Sequence, residues 1–244
     1  MEIKRIAHRG FSSEAPENTR VSFALAAEGA FYGVECDIWK TKDGEYVVSH
    51  DGHLQRMCGV DRYIPNMTYA ELRTYPVTGG KKRGNYPAQY LISFREYLSI
   101  MARRGTICPI VELKVDYTTV ELREIVSLVE HYGLLERTFF ISMYPAVLLR
   151  LKTDLHFPSK RLQYVYGVPG ETKFRPVSCE LEQWLMENRI NLDVRYTLIS
   201  RGNVIRLHGA GLEINVWTVN TEKDFRRMTE ELGVDYVTSN YYFQ

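Results

Sequence analysis

Four short stretches of the chain concentrate side chains that hydrolytic chemistry uses. His8-Arg9-Gly10 follows an apolar run at 3–7, Glu35 and Asp37 lie inside GVECDI at 33–38, His50-Asp51 follows YVVS, and Glu112 and Lys114 close the run that begins at 107. Side chains alternate along a strand, so Glu35 shares a face with Asp37, and Glu112 with Lys114. Charges inside runs that otherwise read as core are costly unless something compensates them. Three carboxylates with no soft ligand nearby suit one hard divalent cation, Mg²⁺ or Ca²⁺, whose remaining positions water and a phosphate oxygen would fill. An imidazole titrates close to neutrality, so of His8 and His50 one can hold a proton while the other accepts one. Arg9 and Lys114 add positive charge, and the arginine fork matches phosphate oxygens. Together these residues predict metal-assisted phosphoester cleavage.

Each feature has a plainer reading when taken alone. A single histidine at a strand end is more often structural, Glu35 with Asp37 would serve as a buried charge pair, Glu112 and Lys114 would neutralise one another, and Trp217 would be core packing. Lys81-Lys82-Arg83 reads as a solvated loop. The joint reading rests on all the candidates falling at one end of one architecture.

That architecture comes from the periodicity. Apolar, β-branched runs at 3–7, 33–38, 107–113, 138–142, 161–165, 190–194, 213–218 and 234–238 alternate with amphipathic segments near 94–104, 122–132, 180–188, 202–209 and 221–232. Eight strands alternating with helices predict an α/β TIM barrel, whose active site sits at the C-terminal ends of its strands. A ninth run, YVVSH at 46–50, follows the second strand after only Trp39 to Glu45. That is too short for a parallel crossover, and Lys42-Asp43-Gly44 carries a turn signal, so the run is expected to fold back as an antiparallel hairpin. Residues 52–92 then form an inserted loop region without strong periodicity, and one domain spans 1–244. Gly10 permits a sharp turn after the first strand. Asn18 or Thr19 caps the helix that follows. Glu17 either orients Arg9 or a metal-bound water, or simply gains from the helix dipole.

Composition excludes several partners. With 31 basic against 30 acidic residues, no net field draws the chain to nucleic acid or an anionic membrane. The four cysteines are widely spaced without a C-x-x-C pair, as in a reduced cytosolic protein. No stretch reaches the roughly 18 apolar residues of a membrane span, and no leader pattern opens the chain. A cytoplasmic protein acting on a small molecule, without stable membrane insertion, is expected; its oligomeric state is left open.

His8-Arg9-Gly10, Pro16-Glu17-Asn18-Thr19, Glu35-Cys36-Asp37, Lys42-Asp43-Gly44 and Val47-Val48-Ser49-His50-Asp51 occur in that order. In order and spacing they resemble the N-terminal signature of the glycerophosphodiester phosphodiesterase family, within the phosphatidylinositol phospholipase C-like superfamily. The likeness continues more weakly through Leu54, Arg56, Thr68, Glu71-Leu72, Glu112-Leu113-Lys114, Gly211-Leu212, Trp217-Thr218-Val219-Asn220 and Gly233-Val234-Asp235. The resemblance implies a TIM barrel that hydrolyses glycerophosphodiesters to an alcohol and glycerol phosphate. Glu35, Asp37 and Glu112 would hold the metal, His8 and His50 would be the acid-base pair, Arg9 and Lys114 would contact phosphate, and Trp217 would line the substrate pocket. A phospholipase D-like or lyase activity on lysophospholipids is the alternative, with a Tyr-rich insertion (Tyr63, Tyr69, Tyr75, Tyr86, Tyr90) as its apolar rim. A phospho-ligand-binding barrel without catalysis is a third reading. Ser239-Asn240 stands where the family usually has Thr-Asp, a departure expected to bear on substrate choice more than on chemistry.

Overall fold

The computed structural model describes residues 3–167 and 175–243. In chain order the elements are β1 (Lys4–Ala7), α1 (Arg20–Glu28), β2 (Gly33–Lys40), β3 (Tyr46–Val48), the short α2 (Gln55–Cys58) and α3 (Tyr69–Leu72), and α4 (Phe94–Ala102). Then follow β4 (Cys108–Leu113), α5 (Thr119–His131), β5 (Phe139–Ser142), α6 (Pro145–Thr153), β6 (Leu162–Tyr166), α7 (Cys179–Asn188) and β7 (Asn191–Arg195). The chain ends with α8 (Arg201–Gly209), β8 (Ile214–Trp217), α9 (Glu222–Arg226) and β9 (Tyr236–Ser239).

The strands run β1-β9-β8-β7-β6-β5-β4-β2, and β1 also pairs with β2, which closes a parallel eight-strand TIM barrel. Closure is fixed by Ile6 opposite Gly33 and Ala7 opposite Val34. β3 lies outside the barrel and pairs antiparallel with the far end of β2, Ile38 opposite Val48 and Lys40 opposite Tyr46. This is the hairpin expected from the short connection. Outward-facing Val34, Cys36 and Ile38 of β2 pack in one core with Phe94, Tyr97 and Met101 of α4. Ile6, Cys108, Ile110, Phe139, Ile141, Val165 and Tyr236 cluster inside the barrel. Each such burial contributes roughly 1.5–3 kcal/mol, and the plug leaves polar side chains to collect at the open mouth. Among the described residues no helix is long and apolar enough to cross a membrane.

Two regions differ from the periodicity reading. α6 has no counterpart among the amphipathic segments identified above; it starts on Pro145 at its first turn and buries only Val147, Leu148 and Leu151. Residues 52–92 are better organised than their pattern suggests. Leu54, Met57, Cys58, Ile64, Met67, Leu72, Val77 and Leu91 gather with Val47 into a separate apolar cluster, and α3 carries a capping box between Thr68 and Glu71. Short turns present these residues in varying directions, so no single period appears in the sequence.

The connection from β1 to α1 is tightly specified. Arg9 and Gly10 both take left-handed backbone conformations, φ 56° and 77°. A Cβ on Gly10 would lie 2.6 Å from Ser22 Oγ and 2.7 Å from its carbonyl carbon. Ser22 has no room to retreat, because it completes the capping box with Thr19, the residue that caps α1. Gly10→Ala is therefore expected to cost about 1–3 kcal/mol from strain at φ > 0 plus this overlap, measured as a lower urea midpoint. A variant as stable as wild type would contradict the geometry.

Candidate active site

The site grows out of one register. In the parallel β2–β4 pair Asp37 stands directly opposite Glu112, and Glu35 lies two residues back on the same face of β2. Oxygens of Glu35, Asp37 and Glu112 consequently all lie within 4.8 Å of one another. Glu35 and Asp37 are almost completely buried, at 3% and 1% exposure.

Their neighbours hold them in place without neutralising them fully. The left-handed turn at Arg9 aims its backbone N–H at Glu35 Oε2, 2.8 Å away, while Glu35 Oε1 is buried with no hydrogen-bond partner. Asn18 Nδ2 donates to Asp37 Oδ2 at 2.9 Å. Asp37 Oδ1 makes no hydrogen bond and has the Lys114 ammonium at 3.4 Å. Lys114 also donates to Glu112 Oε1 at 3.0 Å, and Arg9 Nε approaches Asp37 Oδ2 at 3.7 Å. Burial, with the charges of Asp37 and Glu112, pushes the Glu35 carboxyl well above the usual carboxylate range. Burial also disfavours the Asp37 carboxylate, yet Lys114, His50 and Arg9 hold it well below that range. Burial and then the carboxylates act on Lys114 in opposite senses, and the carboxylates prevail, raising it above the usual lysine range. Three clustered carboxylates thus face two cations, with two buried oxygens unclaimed. Hard oxygen donors in this state fit a divalent cation such as Mg²⁺ or Ca²⁺.

The two histidines stand at this mouth with different partners. His8, just beyond β1, has Nδ1 2.7 Å from Asn240 Oδ1. That oxygen also accepts from Ser12 Oγ at 2.8 Å. An amide oxygen only accepts, so the His8 proton sits on Nδ1 and Nε2 is left as an acceptor. Burial, reinforced by the Arg9 charge, lowers the His8 pKa to about 3, so its imidazole is neutral. His50, after β3, has Nδ1 2.6 Å from Asp51 Oδ1. Asp51 Oδ2 accepts from Arg56 Nε at 2.5 Å. Arg56 reaches on to Glu17 Oε1 at 2.7 Å, which also accepts from Arg9 Nη1 at 2.9 Å. Burial opposes ionisation of Asp51, but hydrogen bonds from His50 and Arg56 hold it well below the usual carboxylate range. Glu17 therefore bridges two guanidinium groups.

His8, Arg9, Glu35, His50, Glu112, Lys114 and Trp217 all line one cavity of about 880 Å³ at the barrel mouth. Trp217 ends β8, the seventh barrel strand, with its indole Nε1 donating to the Asp193 carbonyl at 3.3 Å. Of the insertion's tyrosines Tyr63 lines the cavity and is 54% exposed. Tyr69 and Tyr86 are instead tied to Glu96 and to the Glu14 backbone. Lys81, Lys82 and Arg83 are exposed, and Lys82 pairs with Glu14.

The described chain matches the glycerophosphoryl diester phosphodiesterase family over residues 8–242. The chain belongs to that family. A glycerophosphodiester phosphodiesterase of Bacillus altitudinis is 25% identical over 259 residues, spanning 98% of this chain and 94% of its own. Glycerophosphodiester phosphodiesterase 1 of Mus musculus is 25% identical over 260 residues, spanning 98% of this chain and 78% of its own. Among solved structures, an Oleispira antarctica phosphodiesterase in complex with the product sn-glycerol-3-phosphate superposes with a TM-score of 0.85 at 24% identity, over 98% of this chain and 93% of that one. A glycerophosphodiester phosphodiesterase of Thermotoga maritima gives 0.73 at 23% identity, over 98% and 95%. At these identities the structures carry the barrel fold.

Within this phosphodiesterase three residues escape the sequence reading. Asn18, weighed only as a helix cap, anchors Asp37 instead. Asn240 contacts His8 directly, so the departure at Ser239-Asn240 touches the proposed chemistry and not only substrate choice. Asp193 lines the cavity from β7. Its signal was a charge inside the apolar run INLDV, the same signal that marked Glu35 and Asp37.

Glu35 binds its proton more tightly folded than unfolded, so its favourable contribution is complete below the unfolded value of 4.5 and is lost as pH rises through the folded one. In metal-free protein Glu35→Gln removes that loss. Its melting temperature should exceed that of wild type at pH 8, with the gap narrowing toward pH 5. Added Mg²⁺ or Ca²⁺ should raise the wild-type melting temperature and leave the variant nearly unmoved. A variant less stable at pH 8 and equally responsive to metal would exclude this charge balance.

Proposed function

We propose that this phosphodiesterase hydrolyses glycerophosphodiesters to an alcohol and glycerol phosphate, with a divalent cation held by Glu35, Asp37 and Glu112 and with His8 and His50 as base and acid. The observation that carries this reading is the meeting of three carboxyl groups within 4.8 Å, two of them buried and Glu112 partly so, at a cavity that both histidines line. When bound, such a cation polarises a phosphoryl oxygen and offsets the charge that builds on it. Arg9 and Lys114, already aligned by Glu17, Asp37 and Glu112, supply further positive charge to the phosphoryl oxygens without reorganising.

The histidines divide the proton transfers through their partners. His8 lines the cavity, its imidazole is neutral, and with the Nδ1 proton committed to an amide oxygen its Nε2 is left as an acceptor, which suits a base. It takes the proton from the attacking hydroxyl, either water or a neighbouring hydroxyl of the glycerol moiety. His50 has the Asp51 carboxylate at Nδ1, which compensates the charge of an imidazolium. It gives its Nε2 proton to the departing alkoxide. A second reading, phospholipase D-like action on a lysophospholipid, draws support from the apolar cavity wall of Met143, Tyr144, Val165 and Trp217. Parallel assays on glycerophosphocholine and lysophosphatidylcholine separate the two by which substrate turns over faster.

Alanine at His8 or His50 should lower kcat on glycerophosphocholine by at least about a hundredfold. A 4-nitrophenolate leaving group needs no protonation, so a 4-nitrophenyl phosphodiester should recover most of the rate of His50→Ala and none of that of His8→Ala. The reverse pattern would interchange the assignments, and near-normal rates in both variants would remove the histidines from the mechanism. Chelation should abolish turnover; full activity after thorough metal stripping would refute the cation's part.

A further inference from the structure

β7 stands opposite the carboxylate cluster, four strands from β2 in either direction around the barrel. From it Asp193 lines the cavity at 3% exposure, with Oδ1 buried and without a hydrogen-bond partner among the described residues. The β7–β8 register sets Asp193 beside Asn215, whose amide is already occupied with the Thr238 hydroxyl at 3.0 and 3.1 Å. Thr238 lines the same cavity, and around these two polar groups the wall is apolar, with Ile141, Val165 and Trp217.

A buried carboxyl with no partner is an uncompensated cost of folding. Native structures keep such a group where something outside the fold completes it. The mechanism above gives Asp193 no task, and no hydrogen bond from the described residues satisfies its Oδ1. Its position answers a need of the substrate instead. A diester whose phosphate lies against Arg9, Lys114 and the carboxylates projects its alcohol portions away from them, across the mouth.

We infer that Asp193 is the residue that selects glycerol-bearing substrates, by exchanging hydrogen bonds with the free hydroxyls of the glycerol moiety while the phosphate is held on the opposite wall. The inference rests on the phosphodiesterase reading. Burial, and then the nearby Glu112 charge, raise the Asp193 carboxyl well above its usual range. A carboxylic acid both donates and accepts, as an alcohol does, so one group satisfies a hydroxyl in both directions. The apolar remainder of the wall, Ile141, Val165 and Trp217, leaves a hydroxyl-free ligand nothing to pair with Asp193.

Calorimetric titration of the metal-loaded protein with sn-glycerol 3-phosphate and with propyl phosphate, the same monoester without hydroxyls, tests this. Wild type should prefer glycerol phosphate by at least about tenfold, since a buried polar group left unpaired costs that much. Asp193→Leu should bind both alike, retain its affinity for propyl phosphate within about threefold and melt no lower than wild type, because an orphaned polar group has gone. Asp193→Asn, which keeps a donor and an acceptor, should retain most of the preference. Equal loss of both ligands in the leucine variant, together with a lower melting temperature, would make Asp193 structural and overturn the inference. So would a wild type that hydrolyses the diester but does not distinguish the two ligands, a comparison that needs no variant to fold. A wild type that binds neither ligand and hydrolyses no glycerophosphodiester would instead refute the function on which the inference rests.

Discussion

Mutual repulsion among three carboxylates held within 4.8 Å is the constraint around which this protein is arranged. Such a cluster would spread or protonate if it were free to do so. Here it cannot spread, because the β2–β4 register sets Asp37 opposite Glu112 and amide donors from Arg9 and Asn18 each hold one oxygen, of Glu35 and of Asp37; burial and repulsion instead push the Glu35 carboxyl well above its usual range. Lys114 and Arg9 then make the arrangement tolerable without satisfying it. The left-handed backbone at Arg9 and Gly10 is part of the same bargain, since it is what turns an amide toward Glu35. Strain at the turn and crowding of acidic groups in the cluster are thus two expressions of one arrangement.

The closure of the barrel has a chemical as well as an architectural result. β1 pairs with β9 along Lys4 to Ala7, which brings the residue after β9 against the residue after β1. Asn240 meets His8 in this way, across nearly the whole length of the chain. His50 instead receives its partner from the next residue in sequence, Asp51. One imidazole therefore depends on long-range closure and has a neutral neighbour, while the other carries an anionic neighbour with it. Two chemically identical side chains thus stand at one mouth in different surroundings, one against an amide and one against a carboxylate.

Much of the site was legible because buried charge is conspicuous against an apolar background. Glu35, Asp37 and Glu112 interrupt runs of strand residues, and alternation alone assigns each pair to one face. The hairpin was legible from a connection too short for a crossover. Asn18 was harder, because asparagine before a helix is also a good cap and only coordinates show that Thr19 takes that part. Asn240 needed a contact 232 residues away in sequence, which no local pattern carries. Nor could sequence distinguish Asp193, whose Oδ1 has no hydrogen-bond partner among the described residues, from an acid with one. The cluster under residues 52–92 was hidden for another reason: its apolar residues come from separate turns, and hydrophobic periodicity records only regular elements.

That small cluster gives the molecule two building materials. The insertion encloses its own apolar centre beside the barrel, and it supplies Tyr63 and Pro65 to the cavity rim. Its residues there can therefore be exchanged, lengthened or rebuilt while the staves beneath stay as they are, which offers evolution or an engineer a replaceable collar around a fixed hearth. The collar comes with one fastening: any substitute must return a guanidinium to where Arg56 now joins Asp51 to Glu17.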